Sequence, residues 1–120
     1  MYDHLGLQVH DLAASVRFYE AALAPLGFGL CSRDDASAGF GPPDAPALWL
    51  YAGGAGSSAT HVAFRAGDRV AVDQFHRRGV AAGGRVHRAP GVRADDAPTY
   101  YAAFLRDPDG NNVEAVCMTP

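Results

Sequence analysis

One pattern is written twice in this chain, and that repetition limits the possible folds more than any other feature. Sliding the chain along itself until His4 meets His61 lays His4-Leu5-Gly6-Leu7-Gln8 on His61-Val62-Ala63-Phe64-Arg65. With no gap, Asp11 then meets Asp68, Ala14 meets Ala71, Phe18 meets Phe75 and Gly27 meets Gly84. After a short insertion, Ala47-Leu48-Trp49-Leu50-Tyr51 falls on Asn112-Val113-Glu114-Ala115-Val116. Two copies are too few for a solenoid. They predict a domain spanning 1–120, built from a module at about 1–53 and a second at about 59–120. Gly53-Gly54-Ala55-Gly56-Ser57-Ser58 would be the flexible connection.

Each half opens with a strand. Leu5, Leu7 and Val9 alternate with His4, Gly6 and Gln8, and Val62 and Phe64 alternate with His61, Ala63 and Arg65. A helix follows in both halves, because Asp11 and Asp68 are residues whose carboxylates cap free first-turn N–H groups. Leu12, Val16, Tyr19 and Leu23 line one face of the first helix, which ends near Pro25 and Gly27. Val72, Phe75 and Gly79 occupy the same face of the second, with Gly79 as its expected stop. Three shorter strands complete each half, at about 28–32, 38–41 and 47–52, then 85–88, 99–106 and 112–117. Asp107-Pro108-Asp109-Gly110 reads as a tight turn before the last strand. The expected fold class is α+β: two βαβββ modules in pseudo-two-fold arrangement, forming a curved sheet with a cleft, one helix covering each module.

Composition excludes several functions. With 48% apolar and 19% charged residues the chain can bury a core and is not a disordered tail. A net charge of −3, with 10 basic residues dispersed along the chain, argues against nucleic acid or an anionic membrane as partner. No apolar run is long enough to span a bilayer and no signal-peptide pattern opens the chain, so a cytoplasmic protein is expected. Cys31 and Cys117 form no metal-type pair and suit a reducing compartment.

Strand alternation also sorts the polar side chains. If the apolar sets pack on the helices, His4 and His61 take the opposite face, and in the last strand Asn112, Glu114 and Val116 join them. A carboxylate in an apolar strand requires a partner if buried. Two imidazoles and a carboxylate meeting on a concave sheet would make a 2-His-1-carboxylate site for Fe²⁺, Mn²⁺, Ni²⁺ or Zn²⁺, with positions left open for substrate. A lone strand histidine is more often a surface or satisfied core residue, and His10, His76 and His87 are read that way. His4 and His61 differ because the repeat relates them.

The series His4, Asp11-Leu12, Ser15, Phe18-Tyr19, Gly27, His61-Val62-Ala63-Phe64 and Asp107-Pro108-Asp109-Gly110-Asn111-Asn112-Val113-Glu114 resembles the glyoxalase/bleomycin-resistance/dioxygenase (vicinal oxygen chelate) superfamily. The resemblance covers essentially the whole chain. It implies paired βαβββ modules curled into a cleft, a homodimer in many members, a small-molecule substrate, and metal ligands at His4, His61 and Glu114. In such a site Glu114 is also the residue expected to take part in catalysis.

Departures from the family pattern narrow the function. Glyoxalase I enzymes add a fourth ligand, usually Glu, where this chain carries Trp49, and indole neither binds metal nor takes a proton. A true glyoxalase I is therefore not expected. Extradiol dioxygenases tend to carry a Tyr where Phe104 stands. Trp49, Tyr100 and Phe104 would flank a planar or apolar substrate or else fill the core. Gln8 and Arg65 share the histidine face and would orient a carbonyl or anion, or lie exposed at strand ends. The loop Arg93-Ala94-Asp95-Asp96 is placed at the cleft rim, where selectivity often resides. The expectation is a divalent-metal enzyme (a lyase, isomerase or dioxygenase) acting on a small oxygen-bearing substrate. The alternatives are a metal-free binding protein of the antibiotic-sequestering type and a binding module with a vestigial site.

Overall fold

The computed structural model describes residues 1–56 and 58–120; Ser57, within the expected Gly-rich connection, lies outside the described residues. The first module runs β1 (Leu5–Val9), α1 (Leu12–Leu23), a single 3₁₀ turn at Ala24–Leu26, β2 (Gly29–Arg33), β3 (Ser37–Gly41) and β4 (Leu48–Ala52). The second runs β5 (His61–Arg65), α2 (Arg69–Ala81), β6 (Arg85–Val92), β7 (Tyr101–Arg106) and β8 (Asn112–Cys117). This is βαβββ twice. The strand orders, β1-β4-β3-β2 and β5-β8-β7-β6, are the same permutation. Each module keeps its own four-stranded sheet, with β1 and β5 at the edges.

Both caps form as their chemistry requires. The Asp11 carboxylate accepts from the Ala14 amide at 3.1 Å, and Asp68 accepts from that of Ala71 at 2.8 Å. Leu12, Val16, Tyr19 and Leu23 are all buried beneath α1, joined by Phe18 and Ala22. The two helices pack on each other, so one core of α1, α2 and the inner faces of both sheets holds the modules together. Leu5 departs from its expected burial and is 40% exposed, because β1 pairs only with β4 and leaves its other side open.

Gly79 does not end α2. The helix continues to Ala81, and Gly83, at φ +104°, is the left-handed residue that turns the chain. Gly79 instead lies where α2 presses on α1 and β7: a Cβ there would stand 2.4 Å from Leu105 Cδ1 and 3.3 Å from the Phe18 ring. Strand β6 is also longer than the 85–88 expected, passing through Pro90 to Val92 with two register shifts against β7. It tolerates the proline because it is an edge strand, where a missing N–H removes no ladder bond.

The turn at residues 107–110 closes with the Gly110 amide donating to the Asp107 carbonyl at 2.9 Å. The fully buried Asp107 carboxylate accepts from Tyr19 Oη of α1 at 2.6 Å, from the amides of Asp109 and Asn111 at 3.0 and 2.8 Å, and from Asn111 Nδ2 at 3.0 Å. Asp109 accepts from the His10 amide, and Asn111 from that of Thr60. The segment leading into β8 is thereby tied to the first module, and those ties hold β8 in place behind Glu114. Among the described residues, no helix is long and apolar enough to cross a membrane.

Candidate active site

Glu114 is the organising residue. In the ladder it lies between Ala63 of β5 and Phe104 of β7, on the face opposite the helix. Its neighbours Val113 and Ala115 point into the core and are fully buried. Glu114 is itself only 2% exposed, so its carboxylate must be satisfied within the fold. One oxygen meets His61 Nε2 at 2.9 Å, and the other accepts from the Tyr100 hydroxyl. Burial, as the largest single cause, and then the Glu114 carboxylate push the Tyr100 phenol up to about 12. Across neutral pH the phenol therefore stays protonated and donates to Glu114.

Phe104 forms the floor beside this cluster. The His61 ring lies 6.3 Å from it, tilted 46°, and the His87 ring meets its edge at 6.3 Å. The guanidinium groups of Arg88 and Arg93 stand 5.6 and 5.8 Å from the Phe104 centroid. The register shift between Val86 and Arg88 lets both His87 and Arg88 oppose this one residue, as a bulge does. His87, read from the sequence as background, thus stands at the site, and Arg88 and Arg93 join it. A bulge has no unique sequence mark, though Pro90-Gly91 in an otherwise strand-like run is the one available sign.

The other expected site residues lie elsewhere in the chain. His4 precedes β1, exposed, with Nδ1 2.7 Å from the Asp3 carboxylate. It lines an apolar cavity of about 190 Å³ together with Leu23, Phe28, Phe40, Val62 and Phe64. Among the described residues of one chain, no group of three His, Cys, Asp or Glu side chains is arranged to hold a metal. Trp49 and Gln8 belong to the first sheet. Trp49 pairs with Gly6 as Glu114 pairs with Ala63, so the ladder confirms that Trp49 occupies the position equivalent to Glu114. Its indole lies flat over Gly39, where a Cβ would come within 2.8 Å of the ring. Arg65 is exposed at the end of β5. His76 sits on α2, where desolvation lowers its pKa and Nδ1 finds no partner.

Comparison with known proteins bears on the family and the fold. The family model described as Glyoxalase/Bleomycin resistance protein/Dioxygenase superfamily matches residues 2–115. A glyoxalase/bleomycin resistance protein from Albidiferax ferrireducens T118 is 33% identical, with a TM-score of 0.83 and 98% of each chain covered. A glyoxalase I variant from Zea mays is 27% identical with a TM-score of 0.69, this chain covering 46% of that one. A glyoxalase-related enzyme from Fulvimarina pelagi shares the fold, at 22% identity and a TM-score of 0.72. No curated protein matches.

Proposed function

Since the chain belongs to the glyoxalase/bleomycin resistance protein/dioxygenase superfamily, we propose that it is a divalent-metal-dependent enzyme acting on a small oxygen-bearing substrate. The observation that carries this reading is the buried Glu114 carboxylate facing His61 Nε2 at 2.9 Å. The ligands would be His61 and Glu114 of one chain and His4 of a second copy. The donor set fits such an ion: one carboxylate oxygen and two imidazole nitrogens are ligands that Fe²⁺, Mn²⁺, Ni²⁺ and Zn²⁺ all accept. His4 supports the fit independently, because the Asp3 carboxylate engages Nδ1 and leaves Nε2 for a ligand, the arrangement common in metal-bound histidines. A second copy is favoured by the edges of β1 and β5, each of which has a ladder on one side only.

A bound divalent ion would act as a Lewis acid toward substrate oxygens. The protein's own part is narrower. Tyr100 donates to one Glu114 oxygen and fixes the carboxylate plane, while the other faces His61 Nε2 at 2.9 Å as the oxygen that would hold an ion together with that imidazole. Phe104 presents a ring and no hydroxyl, so it orients a substrate by contact and not by hydrogen bonding. Trp49 supplies no second carboxylate, so Glu114 is the single acid–base group that the ligand set brings to the reaction. This argues for a reaction other than glyoxalase I isomerisation.

The test is metal analysis of protein purified without chelator, combined with mixing of variants. Wild type should retain about one divalent ion per chain, and His61→Ala and Glu114→Ala should lose it while keeping native circular dichroism. If the site crosses chains, co-refolded His4→Ala and His61→Ala chains form mixed dimers with one intact ligand set and recover metal. No metal in wild type would refute the enzyme reading and favour a metal-free binding protein. Metal retained without recovery in the mixture would place all three ligands in one chain.

A further inference from the structure

Arg88 and Arg93 have no part in the metal reading, yet both converge on Phe104 beside Glu114. They arrive from different segments, Arg88 within β6 and Arg93 just beyond it, where the Arg93 amide donates to the Tyr100 carbonyl at 2.6 Å. The ring by itself holds two guanidinium cations only weakly. A carboxylate between them would be the ordinary remedy. None serves: among the described residues neither arginine forms an ion pair, and both oxygens of nearby Glu114 are engaged by His61 and Tyr100. Asp95 and Asp96, in the adjoining loop, are exposed and also unpaired with them. Arg93 donates through Nη2 to the Ala89 carbonyl, which anchors the guanidinium, while its Nε is buried without an acceptor.

A register shift that sets Arg88 opposite Phe104, and a second guanidinium anchored over the same ring with no carboxylate partner for either, are features of an oxyanion-recognition site. We propose that Arg88 and Arg93 form an oxyanion-recognition site, so that the substrate of the Glu114 centre is an organic anion. Its carboxylate or phosphate would bridge the two guanidiniums while a planar apolar part lies among the rings of Phe104, His61 and His87. The inference rests on reading the Glu114 cluster as the reaction centre. It adds the charge class of the substrate, since Arg guanidinium matches both oxyanions in a planar, two-pronged geometry.

The test uses chelator-treated full-length protein, titrated by calorimetry and amide chemical shifts with benzoate, phenyl phosphate and the neutral control benzamide. At least one anion should bind, at least tenfold more tightly than benzamide, with shifts centred on residues 87–93 and 104. Which anion binds better distinguishes a carboxylate from a phosphate substrate. Arg88→Gln and Arg93→Gln should each weaken that binding about tenfold or more, the usual loss for a charged hydrogen bond, and Arg88→Lys should restore part of it. Both Gln variants should keep the metal content of wild type, whereas Glu114→Ala should lose metal and still bind the anion. Equal affinity for benzamide and both anions, or binding indifferent to both Gln variants, would overturn the proposal. An absence of metal in every preparation would instead overturn the metal reading, leaving the anion titration to be judged by itself.

Discussion

Replacing Tyr19 by Phe removes a single oxygen and tests how the segment preceding Glu114 is held. The Tyr19 ring is fully buried, edge-on to Phe18 at 4.9 Å between centroids, and Phe keeps all of that packing. What is lost is the 2.6 Å bond to the Asp107 carboxylate. Burial above all, and then Asp107, raises the Tyr19 pKa well above its ordinary value, so at neutral pH the hydroxyl is a committed donor. A hydrogen bond to a charged group contributes ~1.5–3 kcal/mol, and Asp107 remains buried with its other three donors in place. Unfolding entropy of ~2.1 cal/mol/K per residue gives roughly 0.25 kcal/mol/K for a chain of this length. The expected loss is therefore ~6–12 °C in Tm. Urea unfolding followed by circular dichroism should show it as a lower midpoint with unchanged slope. A double-mutant cycle with Asp107→Asn should return a coupling of ~1.5–3 kcal/mol. A Tyr19→Phe loss under ~0.5 kcal/mol, or no coupling to Asp107, would refute the view that this bond ties β8 to the first module.

Gly79→Ala should destabilise by ~1–3 kcal/mol, because its Cβ meets Leu105 Cδ1 at 2.4 Å in a filled core and overpacking exceeds the ~1 kcal/mol gained in helix propensity; greater stability on chemical unfolding would show that Leu105 moves aside freely. Asp68→Ala should cost ~0.5–2 kcal/mol through loss of the α2 cap, read by the same unfolding assay. Tyr100 is raised from 10.0 to about 12, so the folded chain holds a proton that the unfolded chain releases. Its contribution to stability is complete below pH 10 and is lost as pH climbs toward 12, and Tyr100→Phe should flatten that decline in unfolding measured against pH. Protein loaded with Ni²⁺ or Zn²⁺ should show little or no isomerisation of the methylglyoxal–glutathione hemithioacetal, since Trp49 stands where a second carboxylate would be needed; turnover of ~1–10³ s⁻¹ would prove that another residue supplies the base.

Elements whose cause is local were legible in the sequence. Period-two alternation at residues 5–9 and 61–65 specifies strands because successive side chains point to opposite faces, and the same parity placed Glu114 with His61 and Phe104. The caps at Asp11 and Asp68 follow from the reach of a carboxylate to the third amide beyond it. The repeat carried the equivalence of Trp49 and Glu114, which the ladders reproduce. Other features depended on what arrives from a distance. Gly79 looked like a helix stop and is instead a contact surface, because only the packed fold brings Phe18 and Leu105 against it. The sequence pattern ends this strand at about residue 88, yet β6 continues through Pro90 to Val92 because topology places it at an edge. His87 reads from the sequence as background and Arg93 as part of a loop at the cleft rim, and only the fold, with a shift in β6 register at His87, sets them and Arg88 around Phe104. Parity assigns a side chain to a face, but it cannot bring two sheets together. His4 and His61 share a face in the pattern of the repeat, while the chain places them in separate modules that meet through their helices.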